Sequence, residues 1–155
     1  MRLGRGEKMQ FEVIPASLDN TDAIAHLTLE LGYEVSVEDT RVWLRELIAS
    51  PVHLILVAVT GTSVCGWLVI EKRLFLESGF AAEITGLVVG VNFRRQGIAE
   101  ALVNSAELWG REHGLTRLFV RSNVARDASH AFYPSIGFNL SKTSHVYVKP
   151  IDLSH

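Results

Sequence analysis

Apolar and polar residues alternate over residues 10–14, a period of two that predicts a strand ended by Pro15. The period then lengthens. Ile24, Leu27 and Leu31 recur at helical spacing within residues 17–31, behind a Ser17 or Asp19 cap, and Gly32 stops that helix. Residues 33–40 read as a loop carrying Glu34, Glu38 and Asp39, and residues 42–49 as a second helix closed by Ser50-Pro51. Two apolar runs, residues 52–59 and 64–74, flank Thr60-Gly61-Thr62-Ser63 and predict a hairpin. After a connection over residues 74–81, the β-branched run 82–91 predicts a buried strand that Gly90 and Asn92 interrupt. Ile98, Leu102, Ala106 and Trp109, flanked by Ala99 and Val103, then form one apolar stripe of a helix whose outer side carries Glu100, Asn104, Glu107 and Arg111. His113-Gly114 ends it. A short strand over residues 118–122, a short helix over 126–136 broken at Pro134, and two last strands near 138–142 and 144–148 complete the chain. The order βααβββαβαββ joins an antiparallel hairpin to strand–helix–strand crossovers. It predicts an α/β (α+β) fold with a mixed, mostly antiparallel sheet flanked by helices on both faces.

One junction in this pattern breaks local rules. A helix N-terminus carries unpaired N–H groups and a partial positive charge, so it ordinarily takes a Ser, Thr or Asp cap and acidic residues in its first turn. The helix after residue 97 is instead entered through Arg94, Arg95, Gln96 and Gly97. Two cations at the positive end of a dipole are unfavourable unless an anion joins them, and Gly97 lets a ligand approach the backbone closely. A phosphate group resolves both conflicts.

Composition narrows the classes. The 155 residues and 48% apolar content suit one domain with a sizeable core, expected over residues 9–155, after a disordered lead-in over residues 1–8. A formal charge of −2 argues against a general nucleic-acid binder, and the longest apolar zone, residues 51–70, is split by a turn, so no membrane segment is expected. The single Cys65 cannot form an internal disulfide, which suits the cytoplasm, and its apolar strand marks it as core rather than nucleophile. The histidines lack metal-ligand spacing, and there is no nucleophile elbow or Walker sequence. No metal is expected.

The spacing Arg94-x-x-Gly97-x-Ala99, after a strand and opening a helix, resembles the (Q/R)-x-x-G-x-(G/A) loop of the GNAT superfamily of N-acetyltransferases. The run Ala131-Phe132-Tyr133-Pro134-Ser135-Ile136-Gly137-Phe138 is similar to the final motif of that family, and the order of elements is that of its fold from about residue 10 to 149. The resemblance implies that acetyl-coenzyme A is the cosubstrate. Its pyrophosphate would lie on the loop amides of Arg94, Arg95, Gln96, Gly97, Ile98 and Ala99. Its pantetheine arm would bond the strand backbone at Leu87, Val88 and Val89, where the strand splays from its neighbour and Val89 is the candidate donor to the thioester carbonyl. Asn123 resembles the family asparagine that bonds the same arm, and Ser129 falls near where the following helix meets the cofactor. As an alternative, Asn123 is a turn former.

Amine acetylation needs a held acyl carrier, a neutral amine, a stabilised oxyanion and a proton for the departing thiolate. Tyr133 is the candidate acid, since the family tyrosine at this place points at the coenzyme sulfur; a packing tyrosine would suit the helix equally. Glu83, eleven residues before Arg94, is the candidate base, because a carboxylate in an apolar strand is costly unless functional or paired. Some branches of the family keep a base there and others use water; the other reading of Glu83 is a salt bridge or an edge-strand charge. Direct attack of the amine is preferred over a covalent enzyme intermediate. In the family the first two helices cover the acceptor, so Glu30, Tyr33 and Glu34 are the candidate substrate residues, and acidic groups there suit a cationic amine of a small molecule or peptide. A non-catalytic module that senses acyl-coenzyme A is the second functional reading. Dimers are common in the family, although nothing in this sequence marks an interface.

Overall fold

The computed structural model describes residues 9–122 and 127–154. The chain divides into two units, one ending at Arg121 and one starting at Ser122. The first holds five strands, β1 (Glu12–Pro15), β2 (His53–Thr60), β3 (Ser63–Phe75), β4 (Gly79–Val89) and β5 (Leu118–Val120), in the spatial order β1-β2-β3-β4-β5. The pairings from β1 to β4 are antiparallel and β4–β5 is parallel. This is the mixed, mostly antiparallel sheet that the pattern predicts.

Helices α1 (Thr21–Glu30), α2 (Val37–Ala49) and α3 (Ile98–Glu112) complete this unit. Strand alternation sends Ile55, Val57 and Val69 to one face, where they form a buried cluster with Ile24 of α1 and Leu44 of α2. The alternate residues Leu56, Leu68 and Ile70 take the opposite face, and α3 buries Ile98, Leu102, Val103 and Ala106. Burying each large aliphatic side chain of this kind stabilises the fold by about 1.5–3 kcal/mol.

Several boundaries differ from expectation for local reasons. The first helix begins only at Thr21, because a 3-10 turn over Leu18–Asn20 precedes it, with the Ser17 N–H donating to Asn20 Oδ1 at 2.8 Å. α2 begins at Val37, not 42: the Ser36 hydroxyl accepts from the Asp39 N–H at 3.0 Å, and Glu38 and Asp39 lie in the first turn, where the dipole favours acids. β4 starts at Gly79, whose φ of 80° turns a tight hairpin out of the expected connection.

The second unit contains α4 (Asp127–Ser135), with Pro134 in its last turn. Tyr133 O accepts from the Ile136 and Phe138 N–H groups at 3.2 and 3.1 Å, and Gly137, with φ of 100°, turns the chain out of the helix. The two strands expected near 138–142 and 144–148 are not formed; residues 138–154 hold no regular element. A period-two pattern becomes a strand only where another strand supplies hydrogen bonds and an apolar face covers its side chains. Val146, Tyr147 and Val148 are instead 80%, 89% and 88% exposed.

Candidate active site

β4 is the strand around which the site is built. Its pairing with β5 covers only Ala82, Glu83 and Ile84, so among the described residues no strand lies beside residues 85–89 on that edge. At the same level β4 carries a bulge. Ile70 faces Ile84 and Val69 faces Gly86, which leaves Thr85 as the extra residue. Below the bulge the Ala82 N–H donates to Arg117 O, toward β5; above it the Gly90 N–H donates to Cys65 O, toward β3. Strand alternation counted back from Gly90 therefore turns the backbone groups of Leu87 and Val89 to the vacated edge and those of Val88 to β3. Gly86 is required for packing, since a Cβ there would lie 2.5 Å from the Trp67 ring.

The strand leads through a 3-10 turn over Val91–Phe93 into the loop before α3. Arg95 has φ of 64° and Gly97 of 81°, both left-handed, and Arg95 is the one non-glycine residue with positive φ among the described residues. The first helical bond of α3 runs from the Ala101 N–H to Gly97 O. Among the described residues no acceptor is paired with the N–H groups of residues 94–100, and Arg94 and Arg95 have no carboxylate partner. Gln96 turns inward, its Oε1 accepting from the Met9 N–H at 3.0 Å. Unpaired amides, a helix N-terminus and two exposed guanidiniums together make an anion cradle.

Glu83 is buried at 5% exposure, and both its oxygens are occupied. Oε2 accepts from Arg73 Nη1 at 3.1 Å and Oε1 from Arg121 Nε at 3.3 Å. Arg73 also pairs with Glu71 at 3.5 Å, Glu71 lies 2.9 Å from His53 Nε2, and His53 Nδ1 lies 2.7 Å from the Ser50 hydroxyl. Arg73 and Arg121 are functional candidates that the sequence did not reveal, because strand register decides which charges meet.

Glu30 is not an open acidic group. Its Oε2 accepts from the Val91 N–H at 3.1 Å and its Oε1 lies 3.6 Å from His26, so it ties the end of α1 to the end of β4. Tyr33, at 56% exposure, and Glu34 lie in the open α1–α2 loop. In the second unit, Tyr133 is half-buried on α4 with its ring edge-on to Phe132 and Phe138, and Ser129 lies one turn before it. Asn123 falls outside the described residues. Among the described residues no cluster of His, Cys, Asp and Glu has the form of a metal site, and no helix is long and apolar enough to cross a membrane.

Residues 20–138 match the model of the acetyltransferase (GNAT) family. An aminoglycoside N(6')-acetyltransferase type 1 from Serratia marcescens is 30% identical over 125 residues, covering 77% of this chain and 86% of that protein. The fold is similar to that of an aminoglycoside N-acetyltransferase solved with coenzyme A, at a TM-score of 0.84 and 14% identity, covering 95% of this chain and 99% of that one. It is also similar to an aminoglycoside 6'-N-acetyltransferase from Acinetobacter baumannii, at a TM-score of 0.81 and 23% identity, covering 92% of this chain and 100% of that one.

Proposed function

The chain belongs to the acetyltransferase (GNAT) family and transfers an acetyl group from acetyl-coenzyme A to an amine, and we propose that this amine is on a polycationic small molecule of the aminoglycoside type. The observation that carries the cofactor half of this reading is the run of N–H groups over residues 94–100 that, among the described residues, have no acceptor, beside two exposed arginines that have no carboxylate partner among those residues. That cradle suits a diphosphate. The amides of Arg94, Arg95, Gln96, Gly97, Ile98 and Ala99 bind its oxygens, and the Arg94 and Arg95 guanidiniums neutralise its charge.

The vacated edge of β4 accounts for the rest of the carrier. Leu87 and Val89 offer backbone groups to the amides of a pantetheine arm, while Val88, whose backbone groups serve β3, contributes its buried side chain to the wall. The Val89 N–H is the donor for the thioester oxygen, where charge develops as the amine attacks. The Tyr133 phenol supplies the proton for the thiolate. Asn123 and Ser129 are the further contacts to the carrier that the family motif suggests.

For the acceptor, support comes from the curated relative, named for an aminoglycoside, and from the acidic α1–α2 region. Tyr33 offers a face for a sugar ring, Glu34 offers a charge for an ammonium group, and Glu30 holds the loop's root in place. The sensor reading gains nothing from a curated relative that is an enzyme. A thiol-release assay across aminoglycosides with a 6'-amine, small monoamines and peptide amines tests the reading. The aminoglycosides should be turned over with the highest kcat/KM; turnover confined to peptide amines would overturn the acceptor, and no turnover of any amine would overturn the catalysis. Tyr133→Phe should lower kcat by roughly 10- to 100-fold with coenzyme A affinity little changed, which separates a proton donor from a packing residue.

A further inference from the structure

The Arg73–Glu83–Arg121 ion pairs stand at a particular place in the sheet. Val120 is the last residue of β5 that pairs with β4, and Arg121 follows it directly. Its guanidinium reaches back to Glu83, one step below the end of the ladder, and from the other side Arg73 of β3 grips the same carboxylate. One step above begins the Thr85 bulge and the vacated edge. Three strands are thus clamped through one buried carboxylate at the level where the pairing of two of them ends.

Building on the acetyltransferase reading above, we infer that Glu83 is a positioning residue: with Arg73 and Arg121 it pins β3, β4 and β5 where the β4–β5 pairing ends, and so fixes the edge of β4 that the pantetheine arm lies along. A three-residue parallel ladder is a weak hold on the end of β5, so the position of that end depends on the charge-assisted bonds of Arg121. Arg73 is in turn held by Glu71, which His53 backs, so the clamp is anchored on β2 as well.

The same geometry removes Glu83 from proton transfer. A general base needs an oxygen within reach of the substrate ammonium. Here each carboxylate oxygen already accepts from a guanidinium, the group is 5% exposed, and a cationic amine approaching it would meet two arginines first. Glu83 therefore acts through strand geometry and not on the reacting atoms.

Calorimetry with coenzyme A, alongside steady-state kinetics and thermal melts, tests this on Glu83→Gln, Arg121→Ala, Arg121→Lys and the double variant Glu83→Gln/Arg121→Ala. Measurements well below each melting temperature keep folding apart from binding. Arg121→Ala and Glu83→Gln should each raise the coenzyme A Kd and the acetyl-coenzyme A KM by roughly tenfold, and the double variant should be no worse than Glu83→Gln alone, because that single variant already breaks the Glu83–Arg121 pair along with the Arg73 one. Arg121→Lys should recover part of the affinity. The acidic limb of the pH profile of kcat/KM, which reports a group that must be deprotonated, should stay in place in Glu83→Gln. The inference is overturned if Glu83→Gln binds coenzyme A like the wild type but loses kcat with a displaced pH limb, which would make it the base. It is equally overturned if both single variants bind normally and only melt earlier. A wild-type chain that binds no coenzyme A would overturn the acetyltransferase reading itself, and the pin with it.

Discussion

The loop residues 94–97 show how a single position can trade stability for binding. Arg95 sits at φ of 64°, where a branched or long side chain is strained, typically by about 1–3 kcal/mol. Gly97 takes φ of 81° at no such cost, and among the described residues nothing within 4 Å would oppose a Cβ there, so its conformation is what calls for glycine. Arg95→Gly should therefore act in two directions. Relief of strain should raise the unfolding free energy by up to about 1 kcal/mol, even after the added entropy of a glycine in the unfolded chain. Loss of the guanidinium should weaken acetyl-coenzyme A binding by several fold, as befits an exposed charge contact of about 0.2–1 kcal/mol with some added preorganisation. Urea melts and calorimetry on the same variant check both signs, and unchanged affinity would remove Arg95 from the cradle. The unusual backbone of this loop was legible in the sequence because its residues violate the rules for an ordinary helix start. Glu83 was legible only as an oddity, a carboxylate in an apolar strand; that its partners are Arg73 and Arg121 depends on register over 10 and 38 residues of separation, which no local pattern encodes.

At the scale of elements, periodicity guided well where a partner covers the apolar face and failed over residues 138–148, and the cap at Ser36 was missed. α3 and the β2–β3 hairpin follow the sequence expectation closely, because a one-sided apolar stripe and a run of β-branched residues around Gly61 each admit one packing. α2 began five residues early, because residues 37–41 carry little apolar signal while Ser36 carries a cap signal. That cap gives the element a testable weak point. Ser36→Ala removes the acceptor of the Asp39 N–H and should cost about 1 kcal/mol, with a fall in Tm of roughly 2–4 °C for a domain of this size. Ser36→Asp should restore the loss, since an Asp side chain can accept the same bond and its charge suits the helix N-terminus. A melt of Ser36→Ala equal to the wild type would show that α2 is held by its Leu44 face alone. The end of the β4–β5 pairing at Ile84 lies beyond any such reading. The bulge at Thr85 and the three-residue partner strand have no compositional mark.

For the whole molecule, a net charge of −2 coexists with a local pair of exposed arginines, Arg94 and Arg95, so the potential at that loop does not follow the sign of the total. A second global property is the alkaline limit of stability. Cys65 is fully buried, and burial pushes its thiol up from the ordinary value, a backbone hydrogen bond with Thr60 offsetting this only in part. The direction has a definite consequence. The unfolded chain releases the thiol proton near pH ~8.5, whereas the folded chain retains it to higher pH. Above that point the unfolded state binds fewer protons than the native one, so stability falls as pH rises, by up to about 1.4 kcal/mol per pH unit from this group. Below it the contribution is fully present. Other alkaline groups titrate alike in the wild type and in Cys65→Ala, so the difference between the two isolates the thiol. Urea melts at neutral pH should show Cys65→Ala less stable, through the small cavity it leaves. The gap should narrow as the pH is raised beyond the unfolded thiol value. A gap that stays constant across that range would mean that the buried thiol ionises as readily as an exposed one, and that the sheet around it admits water.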